Sequence, residues 1–328
     1  MEKAEYIEIK KQISFEKPLW ITLLVVVADL GLLAVALKLL SVGGFLSFIL
    51  SQIILAVFYF HNFGLLHEAG HGNIHKKTWV NTLLGHYFSI FCFMPYYSWK
   101  YIHQEHHVWT GNIDKDPTMA KIKEFREKKS IPLIHSFFWK SWIPLAAFSQ
   151  QYVFFAYPII IWKSGKMTPK IFMQSSFSVF FIISVYVTLA YLFPDTVNFS
   201  NFVLSYVLYM ALSELVNLPH HVQMPNFHTS PERSKLHPWE QHITTRSCDY
   251  GFLSSILALN FNYHIEHHFF PNLPWYRLKK LRSIIKPKLG REYIELKGIA
   301  WNIKNRAISA KDVLLPEVSH PLLYNKMD

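Results

Sequence analysis

The order of apolar and polar positions divides the chain before any single residue is considered. Four runs, at about residues 19–40, 45–66, 171–193 and 199–218, are apolar for long enough to cross roughly 30 Å of hydrocarbon at about 1.5 Å per helical residue. Residues 41–44 join the first two and 194–198 the last two, so the pattern predicts two tight helical hairpins. A fifth stretch, 143–162, is nearly as long but is interrupted by Ser149, Gln150, Gln151 and Pro158. If it crossed, the polar segments before and after it would lie on opposite sides of the bilayer. It is therefore read as an interfacial or partly embedded helix. The expected fold is an all-α integral membrane protein with four transmembrane helices in two hairpins and a cytoplasmic helical cap. It forms a single domain over 1–328, with an arm at 1–17, a core at 19–285 and a basic tail at 286–328.

Composition agrees with that picture, and charge orients it. Charged residues make up 17% of the chain and hydrophobic residues 51%, whereas soluble domains carry about 25% charge. The net charge of +11 is unevenly spread. The two short connections contain no lysine or arginine, while Lys3, Lys10, Lys11 and Lys17 crowd the N-terminus and Lys163, Lys166 and Lys170 precede the third run. Residues 76–140 and 233–326 are basic as well. The positive-inside rule then puts the hairpin tips outside and everything else in the cytoplasm. Lys38 is the exception, and its long side chain can snorkel to the interface. The charged N-terminus lacks the apolar core and small-residue site of a cleaved signal peptide, so none is expected. Cys92 and Cys248 are far apart and outside any CxxC spacing. This argues against disulfides, cysteine-based zinc and iron–sulfur clusters, and both are read as packing residues.

The chemistry lies in the histidines, of which there are eighteen. His67-Glu-Ala-Gly-His71 places two imidazoles at i and i+4. His103-Gln-Glu-His106-His107 and His264-Ile-Glu-His267-His268 each place three at i, i+3 and i+4. On a helix those offsets share one face, so each set can point at one centre. All three sets adjoin predicted cytoplasmic span ends. Neutral imidazoles without thiolates suit iron or zinc. Eight of them exceed the three or four that one zinc uses, which favours two metal ions.

These boxes, HxxxH, HxxHH and HxxHH, resemble those of the membrane fatty acid desaturase and hydroxylase superfamily. The resemblance extends to Pro95-Tyr-Tyr-Ser-Trp-Lys-Tyr-Ile-His103, to the acidic turn Thr110-Gly-Asn-Ile-Asp-Lys-Asp116-Pro117, and to Asn262-Tyr-His264 through Pro271. Leu215-Val-Asn217-Leu-Pro-His-His221 is similar to the family's NxxxH element. It covers about residues 40–285. The resemblance implies a non-haem di-iron centre with His67, His71, His103, His106, His107, His264, His267 and His268 as ligands. It adds a ninth histidine, His220 or His221 with spacing favouring His221, and Asn217 acting through water. Three rather than four residues inside the first box look closer to the acyl-lipid type than to acyl-CoA desaturases. Residues 262–278 also resemble carotenoid ring oxygenases.

Taking hydrogen from an unactivated methylene needs an oxidant beyond any side-chain acid or base, so the protein must bind metal, exclude water and orient the chain. The implied reaction is O2-dependent desaturation of a fatty acyl lipid, with a hydroxylase or ketolase as the alternative. Asp116 ranks first among carboxylates that could orient an imidazole N–H, ahead of Asp114, Glu105 and Glu266. His75 and His242 are outlying candidates. Tyr97, Trp99, Trp109, Phe261 and Phe269 line either a substrate tunnel or a plain core. No GxGxxG follows a strand and no HPGG haem element is present, which implies an external electron donor of the ferredoxin, rubredoxin or cytochrome b5 type. The basic balance is read as attraction to lipid headgroups or to an acidic donor, with no nucleic-acid partner. His67-Glu68-Ala-Gly-His71 also spells the HExxH of zinc proteases, but an intramembrane protease would leave both HxxHH boxes unused.

Overall fold

The computed structural model describes residues 1–119, 130–165, 168–194, 198–231, 235–251 and 257–314. In chain order the helices are α1 (Lys3–Lys11), α2 (Leu19–Val42), α3 (Phe45–Gly70), α4 (Thr78–Cys92), α5 (Tyr96–Trp109), α6 (Ser130–Lys140), α7 (Leu145–Lys163), α8 (Pro169–Leu192), α9 (Phe199–His221), α10 (His264–Phe269), α11 (Trp275–Leu289), α12 (Gly298–Arg306) and α13 (Ala310–Leu314). Two three-residue strands, β1 (Ser247–Asp249) and β2 (Glu295–Lys297), pair in parallel with Ser247 opposite Glu295. The chain divides into two compact units, neither continuous in sequence.

The apolar unit comprises Glu16–Tyr101 and Ala146–Ser213. Its first hairpin turns at Gly43 and Gly44, whose φ of 75° and 86° a side chain would disfavour. Within it α3 is buried along most of its length, whereas α2 buries only Thr22, Asp29 and Ala36. The remaining faces of α2 and α8 expose Leu24, Val27, Val35, Phe180 and Val187, as lipid-facing helices do. Polar side chains tie the helices where burial would leave them unpaired. Gln52 donates to Asn201 O (2.8 Å) and accepts from Ser205 N (2.9 Å), joining α3 to α9. His61 Nδ1 lies 2.7 Å from Asp29 Oδ1 across the hairpin. Among the described residues five helices, α2, α3, α7, α8 and residues 200–221 of α9, are long and apolar enough to cross a membrane. The interrupted stretch at 143–162 thus forms one continuous helix, α7, with Pro158 inside it. The second hairpin's connection lies partly outside the described residues.

The polar unit comprises Met1–Phe15, Ile102–Leu145 and Glu214–Asp328. Ile265 and Phe269 of α10 pack with Leu278, Leu281 and Ile285 of α11 and with Ile9 of α1. Tyr6 stacks on Phe270 at 4.5 Å and donates to Phe269 O. The N-terminal arm is therefore part of this core. Residues 298–314 pack within the same unit, around Trp139, Trp301, Ala310 and Val313: Trp139 donates to Asn305 O (2.8 Å), and Arg306 forms a buried 2.6 Å ion pair with Glu214.

Candidate metal centre

In the apolar unit, α3 continues past its apolar stretch to Gly70, which puts His67 in its last turn and His71 at its C-cap. The two rings lie 4.8 Å apart. Gly70 has no room for a side chain, since a Cβ would meet the Trp99 ring at 2.4 Å. Lys17 donates to Gly72 O just after the box (2.9 Å). Burial, then the Lys100 and Lys17 ammoniums, pushes His71 down to about 3, so it is a neutral donor at physiological pH.

In the polar unit, α5 brings His103, His106 and His107 onto one face, and α10 does the same for His264, His267 and His268. Ring nitrogens of His103, His107 and His267 all lie within 4.8 Å of one another, as do those of His106, His221 and His268. His264 joins the second group: its Nε2 is 2.9 Å from His221 Nε2 and 3.2 Å from His268 Nε2. His107 Nε2 lies 3.0 Å from His103 Nε2 and 2.9 Å from His267 Nε2. Burial first, and the neighbouring imidazoles second, holds His264 and His268 well below the ordinary histidine range.

The partners of the opposite ring nitrogens fix what those Nε2 atoms are. His106 Nδ1–H donates to Asp116 (2.9 Å), His221 Nδ1–H to Thr244 O (3.2 Å), and His268 Nδ1–H to Gln241 Oε1 (2.8 Å). A neutral imidazole that donates from Nδ1 has only a lone pair at Nε2. Yet His106 Nε2 and His221 Nε2 face each other at 3.3 Å. Lone pairs so close repel, and a cation among them turns the repulsion into coordination. Two nitrogens each about 2.1 Å from one ion and at right angles lie about 3 Å apart. The donor set thus fits metal, with the outer N–H groups of His106, His221 and His268 anchored.

The remaining candidates separate cleanly. Asp116 is buried and also accepts from Thr118 N and Oγ1, so it is locked against His106. Asp114 instead binds His228 and Thr229 N at the surface, and Glu105 is exposed. Glu266 is fully buried but accepts from Tyr293 Oη (2.6 Å) and Ser247 Oγ (2.8 Å). Burial pushes it up to about 6. His242 pairs with Glu292, and His75 Nδ1 accepts from Lys77 N. Of the adjacent pair, His221 aims at the other Nε2 atoms, while His220 stacks flat on His264 at 4.1 Å. Asn217 is half-buried one turn before His221. Trp99 packs edge-on to His67 and Phe261 tilts against His264. Phe269 belongs to the α10–α11 core, Trp109 lies under Lys115, and Tyr97 packs beside His86. Sequence reasoning missed Gln241, Thr244, Tyr293 and Ser247. The only signal for the first two was a run of polar residues, 240–249, between the last span and the third box.

Comparison with known proteins agrees with this chemistry. The family model described as fatty acid desaturase matches residues 43–299. A probable fatty acid desaturase of Sorghum bicolor is 27% identical over 247 residues, 71% of this chain and 62% of that protein. An sn-1 acyl-lipid omega-3 desaturase (ferredoxin) of Nostoc sp. is 25% identical over 285 residues, 79% of this chain and 72% of that protein. An acyl-lipid omega-3 desaturase (cytochrome b5) of Arabidopsis thaliana, from the endoplasmic reticulum, is 25% identical over 262 residues, 72% of this chain and 62% of that protein. The chain thus spans between 62% and 72% of the length of these relatives.

Proposed function

From the premise that the chain belongs to the fatty acid desaturase family, we propose that it is an integral membrane, O2-dependent acyl-lipid desaturase with a non-haem di-iron centre. The observation that carries this reading is the set of imidazole nitrogens gathered in two groups, His103, His107 and His267 beside His106, His221, His264 and His268, with the Nε2 lone pairs of His106 and His221 face to face. Two adjacent ions, with His67 and His71 from the first box completing the set and Asn217 acting through water, fit that donor count better than one zinc. Bound iron supplies the oxidising power that a methylene C–H bond demands, drawing on O2 and two electrons from an external donor. The protein's own part is to hold the imidazoles by their Nδ1–H groups, exclude water by burial and seat an apolar chain. Relatives named for ferredoxin and for cytochrome b5 support an external donor.

The topology of this reading follows from one distance. His106 and His221 meet at 3.3 Å, so the chain between them crosses the bilayer an even number of times. With α8 and α9 crossing, α7 stays on one side, which supports four spans in two hairpins. The basic segments support a site on the cytoplasmic face.

Lipid profiling of cells that express the protein tests the reaction. New carbon–carbon double bonds in membrane acyl chains are expected. New hydroxyl or keto groups would move the reaction to the hydroxylase or ketolase alternative, and an unchanged profile with bound zinc would overturn both.

A further inference from the structure

His220 and His221 are neighbours on α9, and successive residues of a helix point about 100° apart. Only one of the two can face the other ring nitrogens, and a rotation of the last turn by about 100° would exchange them. Pro219, inside the helix two residues before its end, makes that turn weak. Lacking an N–H, it leaves Leu215 O without its helical donor. Tyr250 Oη (3.0 Å) and Asn302 Nδ2 (2.9 Å) donate to that carbonyl instead. Tyr250 is seated in turn on Gly298, where a Cβ would fall 2.1 Å from its ring.

At the end of the helix His221 O accepts from Met224 N (3.1 Å), and Arg246 takes the carbonyls of Pro219, His220 and Val222. Its Nε donates to Pro219 O, its Nη2 to Val222 O, and its backbone N–H to His220 O at 3.0 Å. The side chain is buried and lies against the Trp301 ring at 5.6 Å. Burial pulls Arg246 down to about 10, so it remains ionised at neutral pH. A planar, forked cation that spans two carbonyls while its own backbone holds a third fixes the rotation of the turn between them.

We propose that Arg246 is the positioning residue that selects His221 over His220 as the metal ligand, by clamping the last turn of α9. The inference rests on the metal-centre reading above. Its test is anaerobic Fe(II) titration of the full-length protein, with Mössbauer spectra, for the wild type, Arg246→Gln, Arg246→Lys and each combined with His221→Ala. Loss of an outer-shell partner costs roughly 10- to 100-fold in metal affinity. Arg246→Gln should therefore weaken one Fe(II) equivalent by about that factor and alter the spectrum of one site. In the His221→Ala background the same change should cost nothing more, because the residue it positions is gone. A purely structural role would cost the same in both backgrounds, and that result would overturn the proposal. So would a wild-type titration curve and spectrum in folded Arg246→Gln. If Arg246→Gln fails to fold, Arg246→Lys carries the test: lysine keeps the charge but cannot span both carbonyls, so the same two readings are expected. A wild-type protein that takes up no iron would instead overturn the metal-centre reading itself.

Discussion

The second and third histidine boxes are spelled alike, His103-Gln-Glu105-His106-His107 and His264-Ile-Glu266-His267-His268, down to the glutamate at the third position. They are held in opposite ways. The second lies on α5, a helix of 14 residues, and its glutamate is exposed. The third lies on α10, a helix of only six, and its glutamate is fully buried. Helices that short do not hold themselves together, so bonds from distant segments do it. Ser247 Oγ accepts from Ile265 N at 3.1 Å, and Ser247 and Tyr293 both donate to Glu266. A motif therefore specifies which imidazoles share a face, while the scaffold that aims them is written elsewhere in the chain.

The comparison can be broken at the ligands, where the boxes should behave alike. His106→Ala and His264→Ala should each lose bound metal and all activity, read by iron content and product formation. Full occupancy in either would remove that residue from the centre. The outer hydrogen bonds come next in size. Asp116→Asn removes the carboxylate that accepts from His106 Nδ1–H, and should weaken metal binding by roughly 10- to 100-fold, measured by Fe(II) titration.

The scaffolds should then separate the two boxes. Tyr293→Phe leaves a buried carboxylate short of one donor, and should cost about 1–3 kcal/mol in thermal or denaturant unfolding of the detergent-solubilised protein. Burial raises the Glu266 pKa from 4.5 to about 6. The folded state thus holds a proton that the unfolded state releases between those values, so this group's contribution falls as pH rises from 4.5 to 6. Glu266→Gln should abolish that slope. The smallest effect is at the matching position of the second box, where Glu105→Gln should change stability by no more than about 0.5 kcal/mol.

The same contrast explains what could be read from the sequence. The long apolar helices were legible because such runs have few alternatives, although a fifth helix, α7, is also long and apolar enough to cross, and α3 and α9 run on to Gly70 and His221. The boxes were legible because i, i+3, i+4 spacing needs only one local helix. Asp116 was legible as a carboxylate ten residues from His106. Gln241, Thr244, Arg246 and Tyr293 were not, since each is a single polar residue whose partner lies 23 to 27 positions away along the chain. No periodicity marks such a pair. Glu105 and Glu266 show the limit most sharply, for the same box pattern places one in solvent and the other in the core.

The two clusters of histidine nitrogens support the proposed two-ion centre, and metal content tests that proposal most directly. Protein purified without oxygen should carry about two irons per chain, falling toward one when His221 is replaced by Ala. A single zinc, or no metal in protein that remains folded and monodisperse, would contradict it.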